Sequence, residues 1–166
     1  RTYSVDNPIT DSAAAATAMA TGYKTKTGFL SVLADGQDRA PVATILEGAK
    51  LSGKSTGLVV TCNLQHATPA AFAAHYPYRA DYEAIGEQMV YTGVDVLLGG
   101  GLKYFTGRKD REDLVQVLKQ KGYAIITGPE ELRSAGSSKL AGLFAEVDLS
   151  YDLDRDPAKE PSLAEM

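Results

Sequence analysis

The sequence predicts an α/β fold in which a largely parallel central sheet is flanked by helices. Apolar runs at 57–62 and 94–98 have the length and composition of strands that are buried on both faces of a sheet. Helical segments alternate with the predicted strands along the chain, and this order is typical of parallel sheets joined by crossover helices. No run of about 18 apolar residues occurs, so we expect no membrane span.

Length and composition indicate one ordinary globular domain over 1–166. Apolar residues make up 44% and charged residues 23% of the 166 residues, enough for a hydrophobic core. The net charge of −4 argues against a nucleic-acid partner and against binding to anionic lipid. With Cys62 as its single cysteine and with two histidines, the chain can form neither an intrachain disulfide nor a closed zinc site of Cys and His alone.

The first predicted helix covers 12–21, an alanine-rich segment with high helix propensity. Asp11 stands at its N-cap, and Gly22 is a plausible C-cap. Residues 23–40 are rich in Thr and Gly and predict a loop with a short strand near 29–33.

A second helix is predicted to open at Pro41, because proline is tolerated in the first turn. Gly53 would end this helix. Its apolar residues repeat at the spacing of one helix face and are Val42, Ile45, Leu46 and Ala49.

The remaining elements follow from the same rules of periodicity and capping. Predicted helices cover 69–75, 80–91 (with Ile85, Met89 and Val90 inward), a segment capped by Asp110 and stopped by Gly122, and 129–133. Predicted strands cover 57–62, 94–98, 123–127 and 140–145. Residues 148–162 predict a loop, and Ser162 with Glu165 resembles a capping box that opens a helix.

A phosphate-binding-loop pattern, G-x-x-x-x-G-K-[ST], occurs at 48–55. In nucleotide-binding loops a strand precedes this pattern and a helix follows it, so the phosphate meets a helix N-terminus. Here a predicted helix precedes it and a predicted strand follows it. The turn would therefore face the negative end of the helix dipole, with which Lys54 would interact. Because that end repels phosphate, we expect no nucleotide binding at this pattern.

Asp11 and Ser12 stand where the first predicted helix begins, and this position has two interpretations. A serine in the first turn lies near unpaired backbone N–H groups and the positive end of the dipole, which suits a phosphate dianion. Asp and Ser are also the commonest N-caps, and local chemistry alone favours that simpler interpretation. A serine-hydrolase site has weak support, because no G-x-S-x-G surrounds Ser12 and no spacing requires His66 or His75 to reach it.

Several segments, taken together and in this order, resemble the alkaline phosphatases. They are 11–18 (DSAAAATA) followed by Thr21, Gly22 and Lys24; 41–49 (PVATILEGA); 65–70 (QHATPA); His75 with Arg79; 97–101 (LLGGG); and 161–163 (PSL). The first segment is highly specific, and the similarity extends over nearly the whole chain. The resemblance implies the fold of that family, incomplete in this chain.

The resemblance implies hydrolysis of phosphate monoesters, with Ser12 as the nucleophile that forms a phosphoserine intermediate. Arg79 would grip two non-bridging phosphate oxygens through its planar fork, and Asp11 would hold Arg79 by an ion pair. Without the resemblance, Arg79 would be interpreted as a solvated surface arginine and Asp11 as a helix cap.

The resemblance also implies two zinc ions and one magnesium ion. One zinc would stabilise the alkoxide of Ser12, and the second would activate the attacking water and hold the leaving oxygen. Thr68 would be a ligand of the magnesium, and His66 would contact a water bound to it. Some members have an aspartate where His66 stands, so the identity of the third metal is left open. Alone, His66 would be interpreted as a hydrogen-bonded turn residue, and His75 as structural.

Most metal ligands of the family are expected outside this segment, which has no Asp-His pair and no later glutamate motif. We therefore expect a fragment of a longer catalytic domain, inactive alone, from an enzyme that is a homodimer at full length. Another enzyme of the superfamily (phosphodiesterase, sulfatase or phosphomutase) and a non-catalytic binding module are the alternatives. The resemblance implies a periplasmic or secreted protein that acts on small phosphate monoesters.

Overall fold

The computed structural model describes residues 3–35 and 39–166, which form two compact units. The first unit contains the described residues up to Thr56 together with Gln65–Thr92, and the second contains Gly57–Leu64 and Gly93–Met166. The single domain expected over 1–166 stays a prediction. Within the described part of the chain, no helix is both long and apolar enough to cross a lipid bilayer.

The first unit contains four helices. They are α1, Ser12–Thr21; α2, Ile45–Leu51; α3, Ala67–Ala73; and α4, Tyr82–Thr92. Helix α1 packs against α3, and the buried residues of both helices are mostly alanine. Alanine favours the helix, and its small side chain lets two helix backbones approach closely. Helix α4 buries Ile85, Met89 and Val90, which confirms the predicted inward face.

The second unit is built on a parallel four-stranded sheet. Its strands are β1, Gly57–Asn63; β2, Val96–Gly100; β3, Ala124–Ile126; and β4, Leu140–Leu143, in the order β1-β2-β4-β3. The helices between them are α5, Lys103–Thr106; α6, Leu114–Gln120; and α7, Pro129–Ser134. A buried apolar cluster of this unit comprises Leu98, Ile126, Phe144 and Leu149. The predicted α/β class, with a parallel sheet and flanking helices, is confirmed.

Helix α2 begins at Ile45, so the prediction that Pro41 opens it is wrong. Thr44 and Glu47 form a capping box, in which each side chain accepts a hydrogen bond from the other residue's backbone N–H. Pro41 instead lies in an isolated antiparallel bridge with Val32. Ile45, predicted on the apolar face, is 67% exposed, whereas Leu46 of that face is buried as predicted.

The short strand predicted near 29–33 is wrong for the residues that the structure describes. Isolated bridges form there, at Leu30 with Tyr76 and at Val32 with Pro41, but no strand does. Part of the surrounding predicted loop, residues 36–38, lies outside the described residues.

Two expectations in the second unit are also corrected, and one further helix is found. Strand β1 is an edge strand in which exposed residues alternate with less exposed ones, so it is not buried on both faces. Asp113, not Asp110, is the N-cap of α6, because Asp110 instead pairs with the buried guanidinium of Arg108. Helix α5 was not predicted.

The carboxylate of Glu165 accepts hydrogen bonds from the N–H and the hydroxyl of Ser162, and these residues form a turn, not a helix.

The phosphate-loop pattern at 48–55 has the element order that the sequence predicts. Helix α2 precedes the turn and β1 follows it. Gly53 has φ +71° and donates its N–H to the carbonyl of Lys50, which closes the helix end. The turn therefore stands at a helix C-terminus, where phosphate is disfavoured.

Candidate active site

Ser12 is the first residue of α1, and Asp11 is its N-cap. The backbone of Asp11 is extended, with φ −89° and ψ 174°, and its Oδ1 accepts the N–H of Ala14 at 3.0 Å. Its carbonyl accepts the N–H of Ala15. The capping predicted from the sequence is therefore present at this end of α1. At the other end, Gly22 adopts a left-handed conformation with φ 79°.

The N-terminus of α1 is suited to an anion. In helical geometry the backbone N–H groups of Ser12 and Ala13 have no intrahelical carbonyl to donate to. The helix is 10 residues long, and its aligned peptide dipoles place partial positive charge at this end. The half-buried hydroxyl of Ser12 lies in that positive field.

Arg79 reaches this helix end from the segment before α4. Its Nη1 donates to the Ser12 hydroxyl oxygen at 2.7 Å and to Asp11 Oδ2 at 2.9 Å. The side chain of Arg79 is 28% exposed and that of Asp11 is 20% exposed, so the pair is partly shielded from water. The structure thus places a guanidinium, a carboxylate and a serine hydroxyl in direct contact.

The surroundings of Asp11 lower the pKa of its carboxyl. Burial raises the pKa of this carboxyl, but the N–H of Ala14, the guanidinium of Arg79 and the N–H of Gly28 together lower it below the ordinary value. Asp11 is therefore ionised near neutral pH, which keeps the ion pair with Arg79 intact.

His66 contacts the second terminal nitrogen of the guanidinium. Its Nε2 is 3.4 Å from Arg79 Nη2, and because a guanidinium has only donors, Nε2 must carry the lone pair in this contact. Thr68 lies in the first turn of α3 and is exposed. The described residues show no hydrogen bond from its side chain to this cluster. The structure therefore brings together Ser12, Arg79 and His66 with Asp11, and the described contacts do not include Thr68.

The predicted metal-ligand residues offer few donors. Ser12 offers a hydroxyl, Thr68 a hydroxyl and His66 an imidazole nitrogen. Within the described ranges, no group of three His, Cys, Asp or Glu ligand atoms includes any of the predicted site residues. These donors could take part in metal sites, but they do not complete a tetrahedral zinc site.

His75 has the structural surroundings that the sequence interpretation expects. Its Nδ1 lies 2.9 Å from the carbonyl oxygen of Ser31, and its Nε2 lies 2.8 Å from Glu47 Oε1. Its backbone N–H donates to Gln88 at 2.7 Å. These contacts tie the end of α3 to neighbouring segments of the first unit.

Gly28 is a residue of the site that the sequence analysis missed. Its N–H donates to Asp11 Oδ2 at 3.2 Å, and its carbonyl accepts the N–H of Arg79 at 2.9 Å. The Lys-Thr-Gly sequence at 26–28 indicates a turn, but only the folded chain shows which residues that turn contacts.

Comparison with known proteins gives consistent matches. The alkaline phosphatase family model matches residues 1–166. The chain is 44% identical to alkaline phosphatase 4 of Bacillus subtilis, over 97% of this chain and 35% of that protein. It is 37% identical to the repressible alkaline phosphatase of Saccharomyces cerevisiae, over 99% of this chain and 33% of that protein. The chain spans about a third of the length of these curated relatives.

Solved structures give the same result. The alkaline phosphatase of Thermus thermophilus superposes with a TM-score of 0.92 at 40% identity, covering 99% of this chain and 35% of that one. The cold-active alkaline phosphatase of Shewanella superposes with a TM-score of 0.84 at 44% identity, covering 93% and 37%. A histidine-to-aspartate variant of the enzyme from the Antarctic bacterium TAB5, described with Mg bound in the M3 site, has a TM-score of 0.81 at 35% identity, covering 90% and 43%.

Proposed function

The chain belongs to the alkaline phosphatase family, and we propose that it carries the nucleophile and the phosphate-binding residues of an enzyme that hydrolyses phosphate monoesters. The observation that carries the proposal is the contact of Arg79 Nη1 with the hydroxyl oxygen of Ser12, 2.7 Å away at the positive end of α1. A dianionic phosphoryl group at this point would meet a nucleophile, a guanidinium and backbone N–H groups together.

In the first step, the Ser12 oxygen attacks phosphorus in line with the leaving oxygen. The Oγ–P bond forms as the bond from phosphorus to the leaving alkoxide breaks. The hydroxyl proton of Ser12 passes to solvent, and the leaving alkoxide takes up a proton from solvent. In the second step, a water oxygen attacks phosphorus from the side opposite Oγ. The P–Oγ bond breaks, the water gives up a proton as inorganic phosphate forms, and the serine oxygen takes up a proton, which restores its hydroxyl. Two in-line displacements retain the configuration at phosphorus.

Arg79 orients the phosphoryl group in both steps. Its Nη1 is held by Asp11 Oδ2 at 2.9 Å, and its planar fork can present parallel N–H donors to two phosphate oxygens. The ion pair fixes a long side chain before the substrate arrives, so less conformational entropy is lost on binding. Asp11 is a positioning residue in this proposal, and Arg79 contacts the substrate.

Two zinc ions and one magnesium ion are part of the proposal. Bound metal ions stabilise an alkoxide nucleophile and the charge on the leaving oxygen. Ser12 would be a zinc ligand, Thr68 a magnesium ligand, and His66 a partner of a magnesium-bound water. The magnesium-bound variants of the TAB5 enzyme support a third metal site in a related protein. The remaining ligands are proposed to come from other parts of a longer chain.

The whole protein is proposed to be longer than this chain, homodimeric, and periplasmic or secreted. The coverage of only about a third of its relatives supports the first of these points. We expect the isolated 166-residue polypeptide to lack turnover even with added zinc and magnesium. Robust metal-dependent hydrolysis by this polypeptide would contradict that expectation.

The proposed reaction is tested by substrate selectivity in the full-length protein. Hydrolysis of p-nitrophenyl phosphate should far exceed that of the corresponding phosphodiester and sulfate, because Arg79 binds oxygens that a diester blocks. Ser12→Ala should abolish the monoesterase activity. Ser52→Ala is the matched control, since its exposed hydroxyl donates a hydrogen bond to the carbonyl of Gly48 near the end of α2. Equal activity of the two variants would contradict the proposal.

A further inference from the structure

The turn at Lys26–Phe29 makes a closed ring of hydrogen bonds with the two charged residues of the site. Asp11 Oδ2 accepts the N–H of Gly28 at 3.2 Å and Nη1 of Arg79 at 2.9 Å. The carbonyl of Gly28 accepts the backbone N–H of Arg79 at 2.9 Å. Gly28 therefore holds the carboxylate of Asp11 with its N–H and the main chain of Arg79 with its carbonyl.

The turn has a conformation that strongly favours glycine. The N–H of Phe29 donates to the carbonyl of Lys26, and Gly28 occupies the third position with φ +82°. Thr27 has no positive φ, so the turn matches type II, in which the third residue is usually glycine. A side chain at this position would favour type I, in which the peptide between the second and third residues is turned over.

That peptide carries the N–H of Gly28. If it turned over, the N–H would point away from Asp11 Oδ2 and the ring would open. Space does not restrict the position, since a Cβ added at Gly28 would meet no atom within 4 Å. A substitution would therefore act through the backbone conformation and not through a clash.

A second set of hydrogen bonds holds the turn from the other side. Asp6 Oδ1 accepts two hydrogen bonds from Thr27, from its backbone N–H at 2.9 Å and from its hydroxyl at 3.1 Å. It also accepts the hydroxyl of Ser4 at 3.0 Å. The backbone N–H of Thr27 is the largest cause of the lowered pKa of Asp6, so this carboxylate is ionised near neutral pH. The turn is thus fixed at Thr27 by one carboxylate and at Gly28 by another.

We infer that Gly28 is a positioning residue for phosphate binding, an inference that rests on the proposed function. The peptide group of Gly28 sets the position of Arg79 in two ways, through the carboxylate of Asp11 and through the main chain of Arg79. Gly28 itself need not touch the substrate. Its replacement should lower phosphate affinity through Arg79, beyond any loss of stability.

The test compares Gly28→Val, Gly28→Ala and Gly28→Asn in the full-length protein, with binding of inorganic phosphate measured by calorimetry and Tm by thermal unfolding. Gly28→Val should weaken binding on the order of tenfold, the effect of losing one hydrogen bond to a charged group. Gly28→Asn should weaken it least, because asparagine tolerates positive φ better than valine or alanine. If valine prevents folding, the alanine and asparagine variants still give the comparison.

Gly53→Val is the matched control. Gly53 lies in the same unit, has φ +71°, and an added Cβ would also meet no atom within 4 Å, but its N–H bonds Lys50 near the end of α2. Gly53→Val should lower Tm about as much as Gly28→Val does, and it should leave phosphate affinity unchanged. Equal affinity losses in the two valine variants, or none in the Gly28 variants, would overturn the inference.

A double variant shows whether Gly28 acts through Arg79. Arg79→Ala should weaken phosphate binding, and Gly28→Ala added to it should have no further effect. A full additional loss in the double variant would overturn the positioning role. If Arg79→Ala left phosphate affinity unchanged, the proposed phosphate site itself would be wrong. If only the Gly28 variants left phosphate affinity unchanged, the site would stand and the positioning role of Gly28 would be wrong.

Discussion

The hydroxyl oxygen of Ser12 lies 2.7 Å from Nη1 of Arg79, although the two residues are 67 positions apart in the chain. A guanidinium only donates, so the serine oxygen accepts in this contact. A positive charge at this distance favours developing negative charge on the oxygen. The same nitrogen also bonds Asp11, which limits how far the guanidinium can move when an anion binds.

Replacing Arg79 should weaken phosphate binding more than any other single change at this site. Arg79→Ala removes paired charge-assisted hydrogen bonds worth about 2–4 kcal/mol, so the Ki for inorganic phosphate should rise at least about 30-fold. Arg79→Lys should recover part of the affinity, since lysine keeps the charge but lacks the planar fork. Competitive inhibition in the full-length enzyme measures both. Arg133→Lys, at an exposed arginine paired with Glu165, is the control and should leave Ki unchanged.

The ion pair of Asp11 should contribute stability at neutral pH that is lost in acid. Its folded pKa lies below the ordinary value of 3.8, so the stabilisation is present above that value and is lost as the pH falls through the folded pKa. Asp11→Asn keeps an N-cap side chain and removes the charge.

Thermal unfolding from pH 7 to acid should therefore show a Tm difference between wild type and Asp11→Asn that shrinks below about pH 4. A Tm difference that stayed constant, or that grew in acid, would contradict the assigned sign.

His75 should stabilise the first unit without binding phosphate. Both of its ring nitrogens lie within 2.9 Å of an acceptor, the carbonyl of Ser31 and the carboxylate of Glu47. His75→Ala removes the imidazole contacts of these part-buried groups and should lower the free energy of unfolding by about 1–3 kcal/mol. Urea denaturation measures this loss. An unchanged stability together with a raised phosphate Ki would show that His75 belongs to the site.

The capping box of α2 predicts a contrast between Thr44 and Pro41. Thr44→Ala removes the cap and a hydrogen bond from its hydroxyl to the carbonyl of Phe72, and should cost about 1–2 kcal/mol of unfolding free energy. Pro41→Ala should cost less, because Pro41 lies outside the helix. The reverse order in urea denaturation would favour a helix that opens at Pro41.

Local signals in the sequence account for much of the fold. Alanine propensity with the caps at Asp11 and Gly22 gives α1, and apolar periodicity gives α4. The preference of proline for the first helical turn predicts a start of α2 at Pro41, whereas the capping pair of Thr44 and Glu47 marks the observed start. Strand β1 looked fully buried because composition does not reveal which strand lies at the edge of a sheet.

The site is less accessible to local reasoning. Local chemistry favoured a plain cap at Asp11 and a solvated surface side chain at Arg79, and only the family resemblance indicated that they pair. The role of Gly28 does not follow from the sequence. A glycine in a turn shows that a positive φ is allowed, but it does not show which distant groups form hydrogen bonds with its peptide group. Contacts between residues far apart in the chain depend on tertiary structure.

The central claim, a covalent bond from phosphorus to the oxygen of Ser12, is most directly tested by trapping the phosphoenzyme. The full-length protein is mixed with a monoester substrate, quenched in acid and digested, and the peptides are sequenced by mass spectrometry. We predict a phosphoryl group on Ser12 in the wild type and in Ser52→Ala, and none in Ser12→Ala. A phosphoryl group on another residue, or a phosphoenzyme that persists in Ser12→Ala, would contradict the claim.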